Sequence, residues 1–313
     1  IFQRSLYGGT WALLHKGFSR WGIEATVAQG VDLASLSACL RPNTRLVYLE
    51  TPSNPLLGIT NIQEITAWAK QHNLLTVIDN TFATPILQKP LTLGCDVVMH
   101  SATKYLSGHS DLCAGAVVGD AASVAKIYEM CKILGGSLNA VDVALLERSM
   151  KTLSVRVLQQ SQNALTLAQR LQQHPKVRDV FYPGLETHPG HEIAKQQMQG
   201  GFGGMLSFAI DPDRDALRVQ QELQWIAPVM SLGGVETTIC SPYLTSHAGL
   251  SAEERAEEGI HEHVLRLSVG IEDVDDLWKD LERALSSEDA LKSPTEPADM
   301  GDQWKAFEQD LSK

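Results

Sequence analysis

Cysteine is scarce in this sequence, and what there is does not pair. Cys39, Cys95, Cys113, Cys131 and Cys240 are scattered over 313 residues, and no Cys-x-x-Cys occurs. A disulfide framework or a zinc knuckle is therefore not the organising element, and reduced thiols in a cytosolic enzyme fit better. No apolar run approaches the ~18 residues of a membrane-spanning helix. No Lys/Arg-rich block occurs either, and the formal net charge is −11. Nucleic acid and anionic membrane are accordingly poor partners. The run G-x-x-x-x-G-K-[ST] is missing, which argues against a nucleoside-triphosphate loop. The opening "IFQRSLYGGTW" has no charged stretch followed by an apolar one, so it does not read as a secretory signal, and the expected location is cytoplasmic. It also lacks an initiator Met, and a segment upstream is expected.

What is present is an ordinary globular composition, 43% hydrophobic and 20% charged, enough for two domains. "RLVYLE" (45–50), "LLTVID" (74–79), "CDVVMH" (95–100) and "AGAVVG" (114–119) read as strands. "NIQEITAWAKQH" (61–72) reads as a helix, with Ile62, Ile65 and Ala69 on one face. This rhythm predicts an α/β fold with a mainly parallel sheet over residues 1–152. A Gln-rich helix from Val155 to His174 follows, with Val157, Leu158, Ala164, Leu165, Ala168 and Leu171 as its apolar positions. It is expected to bridge into a smaller α+β domain, 153–285, with strands near 205–210 and 265–269. From 286 to 313 the composition is polar and acidic, and a disordered tail is expected.

In open parallel sheets, ligands bind at the carboxyl ends of the strands. Asn54 follows the first strand, Asp79 closes the second, and Ser101, Thr103 and Lys104 follow the third in "VVMHSATKYLSGHSD". Singly, each is ordinary: a solvated lysine, a capping Asp, a turn Asn, cap hydroxyls. Together they suit pyridoxal phosphate. A lysine forms a Schiff base with its aldehyde, and a carboxylate keeps the pyridine nitrogen protonated so that the ring accepts electrons. Hydroxyls and backbone N–H groups bind the phosphate, and Tyr7 in "YGGT" can stack on the ring. Arg266 lies inside the apolar strand "LRLSVG", where a charge is costly to bury without an anion. Its partner is either a structural Asp or Glu or a ligand carboxylate. "HPGHE" and "HEH" lack a third ligand, so no metal site is expected. His109 reads as a loop hydrogen-bonding residue, and "GGFGG" (200–204) as close backbone packing.

"YLETPSNP", "VIDNTFATP", "HSATKYLSGHSD", "MSLGGVE" and "LRLSVGIED" together resemble the Cys/Met-metabolism group of pyridoxal-phosphate enzymes, from about Leu6 to Leu285. The resemblance implies an aspartate-aminotransferase-like (fold type I) large domain and a homo-oligomer, dimer or tetramer, acting on small amino-acid substrates. It implies Lys104 as the Schiff-base lysine and proton carrier, and Asp79 as partner of the ring nitrogen. Tyr7 is the stacking ring and a possible base, and Ser101 and Thr103 are phosphate contacts. Arg266, with Asn54 and Ser231, is the clamp on the substrate carboxylate. Gly9, where methionine γ-lyase-like proteins carry Cys, tips the expectation toward a cystathionine γ-synthase-like γ-replacement on an O-acylated homoserine with cysteine. The alternatives are a lyase of the same group, or an impaired homologue that keeps the fold without turnover.

Overall fold

The computed structural model describes residues 1–248 and 250–291. Its first sheet has four strands in the order β1 (Leu46–Glu50), β2 (Leu75–Asp79), β3 (Val97–Ser101), β4 (Gly115–Gly119). β1 pairs with β2 and β2 with β3 in parallel, whereas β4 runs antiparallel to β3. The sheet is thus mainly parallel, with a reversed edge strand. The connection from β1 to β2 runs through the helix Ile62–Gln71. Asn61 caps it by accepting the Glu64 N–H at 3.2 Å. Its buried face, Ile62, Ile65, Trp68 and Ala69, packs on Val47, Leu49 and Ile78 of the sheet. Each such fully buried aliphatic side chain contributes about 1.5–3 kcal/mol.

The second sheet is antiparallel, in the order β5 (Val177–Phe181), β6 (Met205–Ile210), β8 (Val264–Ser268), β7 (Thr238–Cys240). Every residue of β6 and β8 is buried, because both faces of the sheet are covered. On β8, Leu265 and Leu267 join a core with Leu171, Leu277 and Leu281. Strand alternation then sends Arg266 to the opposite face. There its register partner Ser207 donates to the Pro55 carbonyl at 2.7 Å, so that face rests on the turn after β1.

The helix between the sheets spans Leu153–Gln172. Val157, Ala164, Ala168 and Leu171 are buried as expected, but Leu158 is 41% exposed. Polar residues take part of the inward face instead. Arg156, Gln160 and Asn163, spaced four and three apart, are all buried, and this spacing aligns them in one row. Gln160 Nε2 donates to the Gly234 carbonyl at 2.6 Å, and Asn163 Nδ2 donates to the carbonyls of Gly270 (3.1 Å) and Glu272 (2.9 Å). The expected tail begins later than 286. Arg214 Nη1 donates to Ser287 O at 2.7 Å, and the Asp215 N–H to Ala290 O at 2.9 Å, with Ala290 buried. The remainder of that expectation, 292–313, lies outside the described residues. No helix among the described residues is long and apolar enough to cross a membrane.

Candidate active site

Asp79 ends β2 directly opposite Glu50, which ends β1. Adjacent strands lie about 4.8 Å apart, so two buried carboxylates there disfavour each other's ionisation. Burial pushes Glu50 up to about 8, with the Asp79 charge adding to the effect. Asp79 is also raised by burial, against two opposing hydrogen bonds from Thr81. The Thr81 N–H (2.9 Å) and its hydroxyl both donate to Asp79 Oδ1. The same hydroxyl accepts the Ser101 N–H at 2.8 Å, tying the end of β2 to the end of β3.

Lys104 follows β3 in a tight turn, its N–H donating to Ser101 O at 3.1 Å and its carbonyl accepting the Gly108 N–H at 2.7 Å. Burial and the nearby Arg266 charge lower the Lys104 pKa below the usual lysine value. No carboxylate pairs with its amine among the described residues. The turn is held from below by Arg156. Nη1 donates to Tyr105 O at 2.9 Å, Nη2 to Ser149 O at 3.0 Å and Nε to Thr152 Oγ1 at 3.1 Å. From above, Gly233 approaches so closely that a Cβ would lie 2.8 Å from Tyr105 N and 3.1 Å from the Lys104 carbonyl carbon. Gly233 also has φ +78°, a conformation that L side chains avoid.

Arg266 is 3% exposed and donates from Nη1 to Asn54 Oδ1 (2.9 Å) and from Nη2 to Met230 O (2.8 Å). Its Nε has no hydrogen-bond partner. Both acceptors are neutral, so the structural ion pair that the sequence left open is not made among the described residues. Asn54 is gripped in turn. Its N–H donates to Glu50 Oε1 at 3.0 Å. Its backbone also hydrogen-bonds the buried His247 ring, whose pKa falls to about 4 through burial and the Arg266 charge. His247 is therefore neutral beside the guanidinium.

The remaining expected residues divide. The Tyr7 N–H donates to Glu50 Oε2 at 2.8 Å, bringing this segment to the strand ends, and the Tyr7 side chain lies over Gly9, where a Cβ would meet it at 2.5 Å. Ser231 sits beside Met230, and its carbonyl accepts the Thr238 hydroxyl at 2.8 Å. The Ser101 backbone is engaged with Thr81, as above. The Thr103 hydroxyl is occupied within the turn: it accepts the Ala114 N–H (2.9 Å) and donates to Ala114 O (3.3 Å). His109 Nδ1 lies 2.7 Å from Ser107 O, a contact within the loop. At "GGFGG", Gly201 approaches the Ser161 hydroxyl to 2.1 Å of a would-be Cβ, which is close backbone packing. No group of three or more His, Cys, Asp or Glu among the described residues could hold a metal ion.

Pyridoxal phosphate fits this donor set. A buried carboxylate whose pKa is raised by desolvation, with no cation paired to it among the described residues, is stabilised by a protonated ring nitrogen. An amine of lowered pKa at the next strand end suits its aldehyde. The unpartnered Arg266 Nε suits an anionic substrate group. Glu50, Thr81, Arg156 and His247 escape a reading of the sequence. Glu50 carried the one available signal, a carboxylate at the same strand-end position as Asp79.

Similarity to known proteins agrees with this geometry. The family model described as "Cys/Met metabolism PLP-dependent enzyme" matches residues 1–286. Cystathionine beta-lyase MetC of Bacillus subtilis (strain 168) is 43% identical over 286 residues, covering 91% of this chain and 73% of the relative. L-methionine gamma-lyase of Pseudomonas deceptionensis is 43% identical over 291 residues, covering 92% and 73%. Among solved structures, cystathionine gamma-lyase from Lactobacillus plantarum complexed with L-serine superposes with a TM-score of 0.89 at 41% identity, covering 91% of this chain and 75% of that one. Cystathionine gamma synthase from Xanthomonas oryzae pv. oryzae in complex with cystathionine gives 0.87 at 42% identity, covering 91% and 74%.

Proposed function

The chain belongs to the Cys/Met-metabolism family of pyridoxal-phosphate-dependent enzymes, and from that premise we propose that it cleaves the C–S bond of a cystathionine-type amino acid by elimination. The coarser statement, a pyridoxal-phosphate-dependent enzyme of trans-sulfuration chemistry, follows from the family itself. What supports an amino-acid substrate is the buried Arg266 fork, paired only with neutral acceptors and close enough to Lys104 to lower its pKa; elimination is favoured by the lyase names of the curated relatives. A substrate carboxylate on that fork brings the α-carbon toward the Lys104 amine.

When bound, the cofactor supplies an electron-accepting ring that stabilises negative charge at the substrate α-carbon. The chain supplies the rest. Asp79 would hold the ring nitrogen in its protonated form. Tyr7 would cover the ring, and Arg266 with Asn54 and Ser231 would orient the carboxylate. Ser101 and the Lys104 turn would hold the phosphate, with Thr103 bracing that turn. Lys104, with its pKa lowered, is more readily unprotonated and so able to take the α-proton and return a proton to the product.

The curated relatives named above are lyases, and their names favour elimination over the replacement that Gly9 favours. Replacement is supported by the likeness to the solved synthase. Product identification decides between them. With cystathionine alone, elimination releases a thiol amino acid, a 2-oxo acid and ammonia. Homocysteine with pyruvate marks cleavage on the β side, and cysteine with 2-oxobutyrate marks the γ side. A protein that leaves cystathionine intact but forms it from O-acylated homoserine and cysteine is a synthase.

The site reading includes a homo-oligomer. The helix Ala121–Leu134 has no buried residue, and Tyr128, Ile133 and Leu134 are each more than 60% exposed. Val141 and Val143 on the helix Ala140–Met150 are exposed too. Exposed apolar residues grouped in this segment mark an association surface, and a second copy of the chain is its simplest symmetric occupant. Ile133→Glu with Leu134→Glu is expected to lower the mass measured by light scattering to that of one chain. Retention of the wild-type mass would discard this face as the interface.

A further inference from the structure

We infer that Glu50 is a positioning residue, whose single carboxyl group holds the Tyr7 segment and the Asn54–Arg266 pair in fixed relation at the ends of β1 and β2. The inference rests on the site reading given above.

Glu50 is 5% exposed, and no ion pair reaches it among the described residues. A buried acid without a cation is costly, and an apolar or amide side chain of similar size would be cheaper. What the carboxyl group offers is two acceptor oxygens in one plane, and both are used. Oε2 accepts the Tyr7 N–H at 2.8 Å, and Oε1 accepts the Asn54 N–H at 3.0 Å. Glutamine has one acceptor and would turn an NH₂ group toward the other N–H. From Asn54 the link continues through Oδ1 to Arg266 Nη1. The backbone of Glu50 is itself fixed, since its carbonyl accepts from the buried Gln3 side chain at 2.6 Å. One side chain thereby joins the segment bearing the stacking ring to the residues that hold the substrate carboxylate. Burial and the neighbouring Asp79 charge raise the Glu50 pKa, while the two N–H donors oppose that rise by stabilising the carboxylate they bind.

The test compares wild-type enzyme with Glu50→Gln, Asn54→Ala and the double variant. Glu50→Gln is expected to raise KM for cystathionine about tenfold and to weaken uptake of pyridoxal phosphate by cofactor-free protein about tenfold, the effect of one lost buried hydrogen bond. The visible circular dichroism of the bound cofactor should fall, because the cover over its ring is no longer held. In the double variant the KM effects should overlap rather than multiply. Unchanged KM, uptake and dichroism in Glu50→Gln would overturn the inference, as would multiplicative effects. A Glu50→Gln protein that does not fold would also overturn it, by assigning Glu50 to the core. Failure of the site reading looks different: Lys104→Ala would then still retain cofactor after borohydride treatment, whatever the Glu50 variants do.

Discussion

Lys104→Ala is expected to abolish turnover and to leave no cofactor attached to the chain after borohydride reduction. The amine lies at the end of β3, in a turn fixed by Arg156 on one side and Gly233 on the other. No other lysine shares this turn. Removal of a positioned general base alone costs about 10²–10⁴-fold in rate. Here the same group also anchors the cofactor, so the two losses combine and activity should fall below detection. Folding should persist, because the Lys104 amine carries no ion pair whose loss would strand a buried charge. Melting temperature and far-ultraviolet circular dichroism check that separation. Full activity in this variant would defeat the assignment of the site.

Arg266→Ala is expected to act mainly on KM. A buried guanidinium that binds a carboxylate supplies about 2–5 kcal/mol, or roughly 30- to 5,000-fold in affinity. The change in kcat should be smaller, because the proton-transferring amine is untouched. Stability should change little, since two opposing effects meet. Asn54 Oδ1 and Met230 O lose their donor, while an uncompensated buried charge disappears. A second readout is independent of binding. The Arg266 charge disfavours protonated Lys104 and lowers its pKa. Without it the Lys104 pKa rises, so the acid limb of the kcat–pH profile should move to higher pH. An unchanged KM would remove Arg266 from the site.

Much of this arrangement was legible in the sequence, for a topological reason. Successive parallel strands place their carboxyl ends on one edge, so Asp79 and the Lys104 turn lie on the same edge once β2 and β3 are recognised, and Asn54 follows β1 there. Arg266 was legible because a charge within an apolar strand demands a partner. The supporting residues were not. Arg156 looks like an ordinary solvated arginine within a Gln-rich helix, and only the tertiary fold turns it inward. Leu158 was misread for the complementary reason: periodicity marks an apolar position, but not which face of a bridging helix has to carry hydrogen bonds instead. Glu50 was passed over beside the more familiar Asn54. Its role depends on Tyr7, a residue far away in the chain.

The row Arg156, Gln160 and Asn163 has a mechanical consequence. One rigid rod grips three separate loops, those carrying Lys104, Gly234 and Gly270. A helix neither stretches nor shears easily, so the spacing between the Lys104 turn and the loops after β8 and before β7 is set by the length of one rod rather than by the loops themselves.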